Sequence, residues 1–397
     1  MQQHALVSGA SIAGLSAAWW LARTGWRVTV VERAPAFRDG GQNVDVRGVA
    51  KEVLDGMGLV EAVRARNTTE TGTVLVDADG SVRAELPDGG GDGATAELEV
   101  LRGDLAHVLL DALPSDVTIR YGETIADVTD DGASVTVHTD AGTALVADLL
   151  VVAEGVRSST RALVFADDEV EARDLGVAMV FGTIPREPSD DDRWRWYNAV
   201  EGRQVHLRPD PHGTTRAILA CTNDDDLAAL PRDGALARMR ERYRGAGWQT
   251  ERVLDGFDAS DDVYVDQLTQ IRMPRWARGR VWLVGDAAWC VTPMGGGGAS
   301  LALTSGYVLA ASLSTHDDTA AAATAFDEWM RPLVSDVQDI PKGIVRFAYP
   351  QTRLGLALRH VVDRAITLPV FAPVTARLTR VAETERPLPP LRTTAQG

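Results

Sequence analysis

Lysine is almost missing from this chain: Lys51 and Lys342 are the only two among 40 basic residues in a length of 397. Arginine carries the rest, so an arginine alone is a weak sign of a site. A basic excess is missing too. Against 56 acidic residues the formal net charge is −16, which leaves no basic face for nucleic acid, and any phosphate must be held by local features. Cysteine occurs only as Cys221 and Cys290, with no CxxC pair and no Cys/His ligand spacing. No disulfide framework or metal centre is expected, and a reducing cytoplasm fits best. Apolar runs such as LVADLLVVA are short and end in charge, well under the ~18 residues that cross a bilayer. Met1 leads straight into a strand pattern without the parts of an export signal. Neither nucleic acid nor a membrane is an expected partner.

A 45% hydrophobic content can bury a large core. HALVSG is a short apolar run closed by glycine. IAGLSAAWWLARTG has helical apolar spacing and stops at Gly25, and RVTVVE is a second buried strand. This βαβ unit gives meaning to the turn VSGASIAG. Gly9 permits the tight turn and Gly14 the close helix packing, while Ser11 stands where the middle glycine of GxGxxG is expected. A serine obstructs little and adds a hydroxyl. The N–H groups of Ser11, Ile12, Ala13 and Gly14 lie at the positive end of a helix, where a pyrophosphate is favoured. Glu32 ends the second strand, placed for a ribose 2′-OH and unfavourable to a 2′-phosphate.

A second glycine-rich site, VWLVGDAAWCVTPMGGGGASLAL, follows far down the chain. A nicotinamide dehydrogenase has no need of it. In these residues the sequence resembles the class A flavoprotein monooxygenases built like para-hydroxybenzoate hydroxylase. The resemblance implies FAD, with Gly285 and Asp286 at the ribityl chain and Pro293, Gly296, Gly297, Gly298 and Ala299 lining the ring. It extends in order to Arg33 after Glu32, Arg47 in GQNVDVRG near the flavin, Arg102 opening RGDLAHVLL and reaching FAD from a helix start, and Val128 in ETIADV near the adenine. GQNVDVRG followed by a helix looks most like the branch with the tetracycline-inactivating monooxygenases. The family's middle motif carries Asp-Gly before Val-Arg-Ser, whereas AEGVRSSTR has Glu154. The extra methylene moves the carboxylate by roughly 1.5 Å, which puts efficient use of the nicotinamide nucleotide in doubt. If so, Glu154→Asp should speed flavin reduction. Arg157 and Arg161 are either nicotinamide contacts or structural ion pairs.

The expected fold is α/β: a Rossmann-like FAD-binding domain with an inserted, mostly antiparallel β-sheet substrate domain and a C-terminal helical segment. Residues 1–173 form the first part of the cofactor domain, with inserted strands at about 70–100. Residues 174–275 form the substrate sheet, 276–340 the second cofactor part, and 341–397 the helical segment and tail. The resemblance implies that NADPH or NADH reduces FAD and that O2 adds to the flavin as a hydroperoxide, which hydroxylates an aromatic, phenolic or polyketide-like substrate. Tyr197, His206, Arg216 and Tyr264 are candidates for orienting it, Arg216 as an anion partner and His206 as a proton relay. Two alternatives stay open: an isoprenoid-type reductase on the same scaffold, and a flavoprotein that only sequesters an aromatic metabolite. A flavin halogenase fits poorly, since RWRWYN lacks the Ile-Pro of its motif and lysines are so few.

Overall fold

In the computed structural model, residues 2–38, 40–86, 98–222, 226–341, 343–366, 384 and 386–393 are described. The apolar run His4–Ser8 is a fully buried strand. It lies at the centre of a six-stranded sheet, between Leu149–Val152 and Arg27–Glu32, with Val281–Leu283 and Thr118–Tyr121 beyond them. These five strands run parallel, and only the edge strand Ala277–Arg278 is antiparallel. The inner four are near-continuous apolar runs, largely buried on both faces as a helix-covered parallel sheet requires, whereas Thr118–Tyr121 is only partly buried.

Two helices lie side by side on this sheet, Ile12–Arg23 after the first strand and Gly298–Thr315 after the second glycine-rich turn. Their close approach has a local cause. A Cβ on Gly306 would stand 2.4 Å from the Ser16 hydroxyl and 2.5 Å from the Ala17 nitrogen, and Ser16 Oγ donates to the Leu303 carbonyl at 2.7 Å. The contact brings the two glycine-rich turns to the same end of the sheet.

The strand run from Thr118 to Val152 forms as expected, its middle part as a three-stranded antiparallel sheet of Ala144–Ala147, Val135–Thr139 and Ile125–Asp130. A seven-stranded sheet orders Tyr264–Arg272, Glu171–Pro185, Thr214–Thr222, Arg203–Pro209, Trp194–Ala199, Thr73–Val76 and Val82–Glu85. The last two strands at one edge come from before residue 100: Thr73–Val76 pairs in parallel with Trp194–Tyr197. The large sheet therefore takes in the strands expected at about 70–100 within the cofactor part, and is not confined to residues 174–275. The loop LPDGGGDG lies, from Pro87 on, outside the described residues.

One face of the large sheet is covered by helices Arg232–Arg242 and Thr250–Ala259, which seal a core of Val180, Leu219, Leu236, Met239 and Phe257. The alternating reading of 174–275 missed both, because the first is arginine-rich and buries only Ala235, Leu236 and Met239. The opposite face carries Met179, Phe181, Ile218 and Ala220, and packs toward Met294 of the glycine-rich turn. Tyr264 and Asp266 on that face, and Asp286 of the parallel-sheet domain, keep accessible surface although protein surrounds each of them, which marks a cleft between the two.

The C-terminal helix Arg353–Ile366 is turned inside out. Arg359 and Asp363 are buried and paired at 2.6 Å, with Arg83 3.7 Å from Asp363, while Leu354, Leu358 and Val361 are exposed. The buried ion pairs, not an apolar stripe, set the face this helix presents to the domain. Among the described residues no helix is long and apolar enough to cross a membrane.

Candidate active site

Three separated motifs meet where the strands of the parallel sheet end. Gly9 has φ +107°, and a Cβ there would lie 2.5 Å from the Ala153 carbonyl oxygen of the AEG motif; a Cβ on Gly14 would lie 1.8 Å from Gly9 O. A Cβ on Gly285, at φ +59°, would press on Ala13 Cβ at 2.7 Å. The glycines here are needed for backbone approach as well as for turn conformation.

No side chain caps the first helix. Its leading N–H groups, of Ile12, Ala13 and Gly14, therefore face outward with the positive end of the dipole behind them. Ser11 Oγ instead accepts from Arg102 Nη2 at 3.1 Å, so the substituted serine anchors an arginine beside the turn. Glu32 accepts from the Ala10 and Ala34 amides, both at 2.8 Å, and its carboxylate is tied to the edge of the same turn. Arg33 is exposed just beyond it.

The second turn is built alike. Gly296 and Gly297 have φ of +68° and +65°, Pro293 stands at the start of the short helix Thr292–Gly295, and Gly298 and Ala299 open the uncapped 18-residue helix. Ser300 bridges it to GQNVDVRG, accepting from the Arg47 amide and donating to the Asp45 carbonyl, both at 3.0 Å. The Arg47 side chain pairs with Asp45 at 3.0 Å. Asp286 is accessible from the cleft although protein surrounds it; desolvation raises its pKa, and Arg102 opposes the rise. Val128 is a ladder residue of the three-stranded sheet opposite Val137, half-buried against the core.

These residues fit a dinucleotide that carries a flavin. Two outward helix N-termini at one end of the sheet suit the pyrophosphate and the electron-poor ring, Arg102 lies beside the first, and Asp286 opens on the cleft between them.

Glu154 has another role than the sequence suggested. Its carboxylate accepts from Ser8 Oγ at 2.5 Å, Ser158 Oγ at 2.7 Å, the Thr160 amide at 3.0 Å and Thr160 Oγ1 at 2.5 Å. The longer side chain spans from the central strand to the start of helix Ser159–Val164 and is used up there. Glu154→Asp is thus expected to destabilise the fold by about 1–3 kcal/mol without speeding flavin reduction. Urea unfolding and stopped-flow reduction check this, and a faster reduction would refute it. Arg161 is buried and donates to the carbonyls of Ala287 at 2.9 Å and Val156 at 2.7 Å, which ties the middle motif to GDAAW. Arg157 is exposed, pairs with Asp226 at 3.4 Å and donates to the Ala228 carbonyl at 3.0 Å.

Of the four residues expected to orient a substrate, three are otherwise committed. Tyr197 lies on the helix-covered face, its hydroxyl donating to the Ala246 carbonyl at 2.7 Å. His206 is on the cleft face but boxed in. Its Nδ1 accepts from Trp194 Nε1 and its Nε2 donates to Gln204 Oε1, both at 3.2 Å. Burial, with Arg208 nearby, pushes its pKa down to about 3, so the ring is neutral with a fixed tautomer and cannot relay protons. Arg216 is buried between Asp210 at 3.2 Å and Asp262 at 2.6 Å, which leaves no net charge for an anion. Tyr264 remains. Its ring stacks on Phe181 at 4.8 Å, its hydroxyl has no partner among the described residues, and burial raises its pKa.

Sequence reasoning missed Phe181, Met179 and Asp266, all on the cleft, whereas Met294 falls within the turn from Pro293 to Ala299 that was expected to line the ring. Period-two alternation with Tyr264 could have placed Asp266; nothing local marks the others.

Residues 2–330 match the family described as FAD binding domain. An uncharacterized protein of Mycobacterium tuberculosis is 36% identical over 318 residues, covering 79% of this chain and 85% of that one. The flavin-dependent monooxygenase eupH of Phoma sp is 34% identical over 381 residues, covering 88% and 89%. The crystal structure of tetracycline destructase Tet(55) matches with a TM-score of 0.81 at 27% identity, covering 97% of this chain and 99% of that one. HpxO of Klebsiella pneumoniae, solved with FAD and uric acid, shares the fold with a TM-score of 0.79 at 21% identity, covering 95% and 96%.

Proposed function

The chain belongs to the FAD binding domain family and is an FAD-dependent monooxygenase near the tetracycline-destructase branch, and we propose that it hydroxylates a phenolic or polyketide-like ring held between the large sheet and the second glycine-rich turn. The observation that carries this placement is the cleft itself, with Tyr264, Phe181 and Met179 on one wall and Met294 and Asp286 on the other. Bound FAD supplies electron transfer from NADPH or NADH and activation of O2; the side chains supply the rest. The amides of residues 11–14 with Arg102 hold the pyrophosphate, Glu32 the ribose, Asp286 the ribityl hydroxyls, and residues 296–299 the ring. Phe181, Met179 and Met294 keep water from the reacting centre. The Tyr264 hydroxyl, held protonated, donates to or accepts from a substrate oxygen and sets which ring carbon faces the flavin. The described thiols Cys221 and Cys290 are both buried and unpaired, which supports a reducing cytoplasm as the site of action.

The test is direct. After reconstitution with FAD the visible spectrum is recorded, NADPH and NADH oxidation is followed with and without phenols and polyketides, and product is analysed after reaction under labelled O2. One labelled oxygen atom per product is expected. A colourless protein would sink the reading. A yellow protein whose ligands never accelerate NAD(P)H oxidation would indicate a sequestering protein, and product without label a reductase.

A further inference from the structure

The cleft face of the large sheet offers no spare positive charge opposite Phe181 and Ile218. Register places Arg216 across from both Thr183 and Arg208, and Ile218 across from both Phe181 and His206, so Arg208 and Arg216 project from the same face as Phe181. Each is outnumbered by acids. Arg208 is held by Glu70 at 2.8 Å and by Glu99, and Arg216 by Asp210 and Asp262. His206 is neutral. Arg272, at the far end of its strand, is turned into the Gln338 carbonyl at 2.6 Å.

Asp266 stands apart. It follows Tyr264 by two residues on the strand Tyr264–Arg272 and pairs across to Met179, as Tyr264 pairs to Phe181, so all four share the cleft face. No side-chain hydrogen bond or ion pair holds its carboxylate among the described residues. The charges it feels, Asp286, Arg157 and Arg102, all belong to the opposite domain, which is the geometry of a group that reaches across the cleft. Burial and Asp286 push its pKa up to about 6, outweighing the pull of Arg157 and Arg102 from across the cleft.

We propose that Asp266 is a specificity-determining residue that rejects rings bearing a carboxylate and favours phenols or enols that are neutral or carry a protonated amine. The inference rests on the substrate position proposed above. A carboxylated ring would enter a half-buried site beside an unpaired anion, with Arg208 and Arg216 already neutralised and Arg173 and Arg272 at the far end of the sheet. A protonated amine would give Asp266 the partner it lacks, in a site shielded enough for the pair to outlast screening by salt.

Three bicyclic phenols of one shape separate the cases: 8-hydroxy-2-aminotetralin, 5,6,7,8-tetrahydro-1-naphthol and 8-hydroxytetralin-2-carboxylic acid. Their Kd values for the FAD-loaded protein are read at pH 7.5 from perturbation of the flavin absorbance, without turnover. The amine is expected to bind at least tenfold more tightly than the acid, with the neutral phenol between. Asp266→Asn should bring amine and acid within about threefold while leaving the neutral phenol unchanged, and Asp266→Glu should keep the order. Equal or tighter binding of the acid, or an unchanged ratio in Asp266→Asn, overturns the proposal even where all three phenols bind. If none perturbs the flavin, the placement of phenols in this cleft fails first and this inference falls with it.

Discussion

Arg208→Met is expected to cost about 3–5 kcal/mol of stability, measured by urea unfolding. Arg208 is buried among Glu70, Glu99 and the face of Trp194, 4.1 Å from the ring centroid. Glu70 and Glu99 have side-chain exposures of 0% and 2%, and each keeps one carboxylate oxygen without a partner. Removing the guanidinium strands two carboxylates where water cannot reach them. Replacing all three as Glu70→Gln, Glu99→Gln and Arg208→Met should recover much of the loss, since an uncharged set has no ion to leave unpaired.

The loss should also depend on pH. Burial pushes the Glu70 pKa up to about 7 from 4.5, although Arg208 pulls against it; Glu99 and Asp45 push the same way as burial. A raised carboxyl pKa stabilises the fold below the unfolded value and ceases to do so as pH rises through the folded one. The wild-type contribution is therefore full below about 4.5 and gone above about 7. Arg208→Met removes the cation that holds this pKa down and drives it higher, so its deficit should be larger at pH 8 than at pH 5. A deficit below about 1 kcal/mol, or one equal at both pH values, would show the cluster to be solvated.

Gly14→Ala should yield a protein that purifies without flavin. The added Cβ would stand 1.8 Å from the Gly9 carbonyl oxygen and 3.0 Å from its carbon, both backbone atoms, so the turn itself must move. Gly9 cannot yield easily: its own φ is +107° and its Cα faces the Ala153 carbonyl. The shift falls on the amides of Ile12 and Ala13 and on the contact of Ser11 with Arg102. Overpacking of this kind costs about 1–3 kcal/mol, which is roughly fivefold to over a hundredfold in FAD affinity if it falls on the bound state. Gly234→Ala is the control, because its Cβ would meet nothing nearer than 3.9 Å. Absorbance at 450 nm after desalting and an FAD titration read the result, with circular dichroism to confirm folding. A Gly14→Ala protein as yellow as wild type would remove this turn from the flavin site.

The parallel core was legible from local pattern because its inner strands are buried on both faces and so are almost wholly apolar, as in HALVS and LLVV. The glycine-rich turns were legible for a related reason: backbone approach within 3 Å can be met only by glycine, and the requirement is written at fixed spacing. Helix Arg232–Arg242 was not, because it buries too few apolar residues to show a stripe. Helix Arg353–Ile366 falls in the expected helical segment, but the face it turns inward, with Arg359 and Asp363, was not legible.

The sequence by itself determined the cofactor class and the turns that receive it, because those depend on residue size and conformation at neighbouring positions. Which charges remain available was decided only by tertiary structure. Arg216 and His206 looked open to a substrate, and Glu154 to a nucleotide, until Asp262, Trp194 and Thr160 were folded against them. Asp266 could be placed only by its alternation with Tyr264, and nothing in the sequence says that its carboxylate stays without a side-chain partner among the described residues. A charge is available or spent according to what packs beside it, and those partners lie from 6 to 46 residues away along the chain, distances that local sequence pattern does not encode.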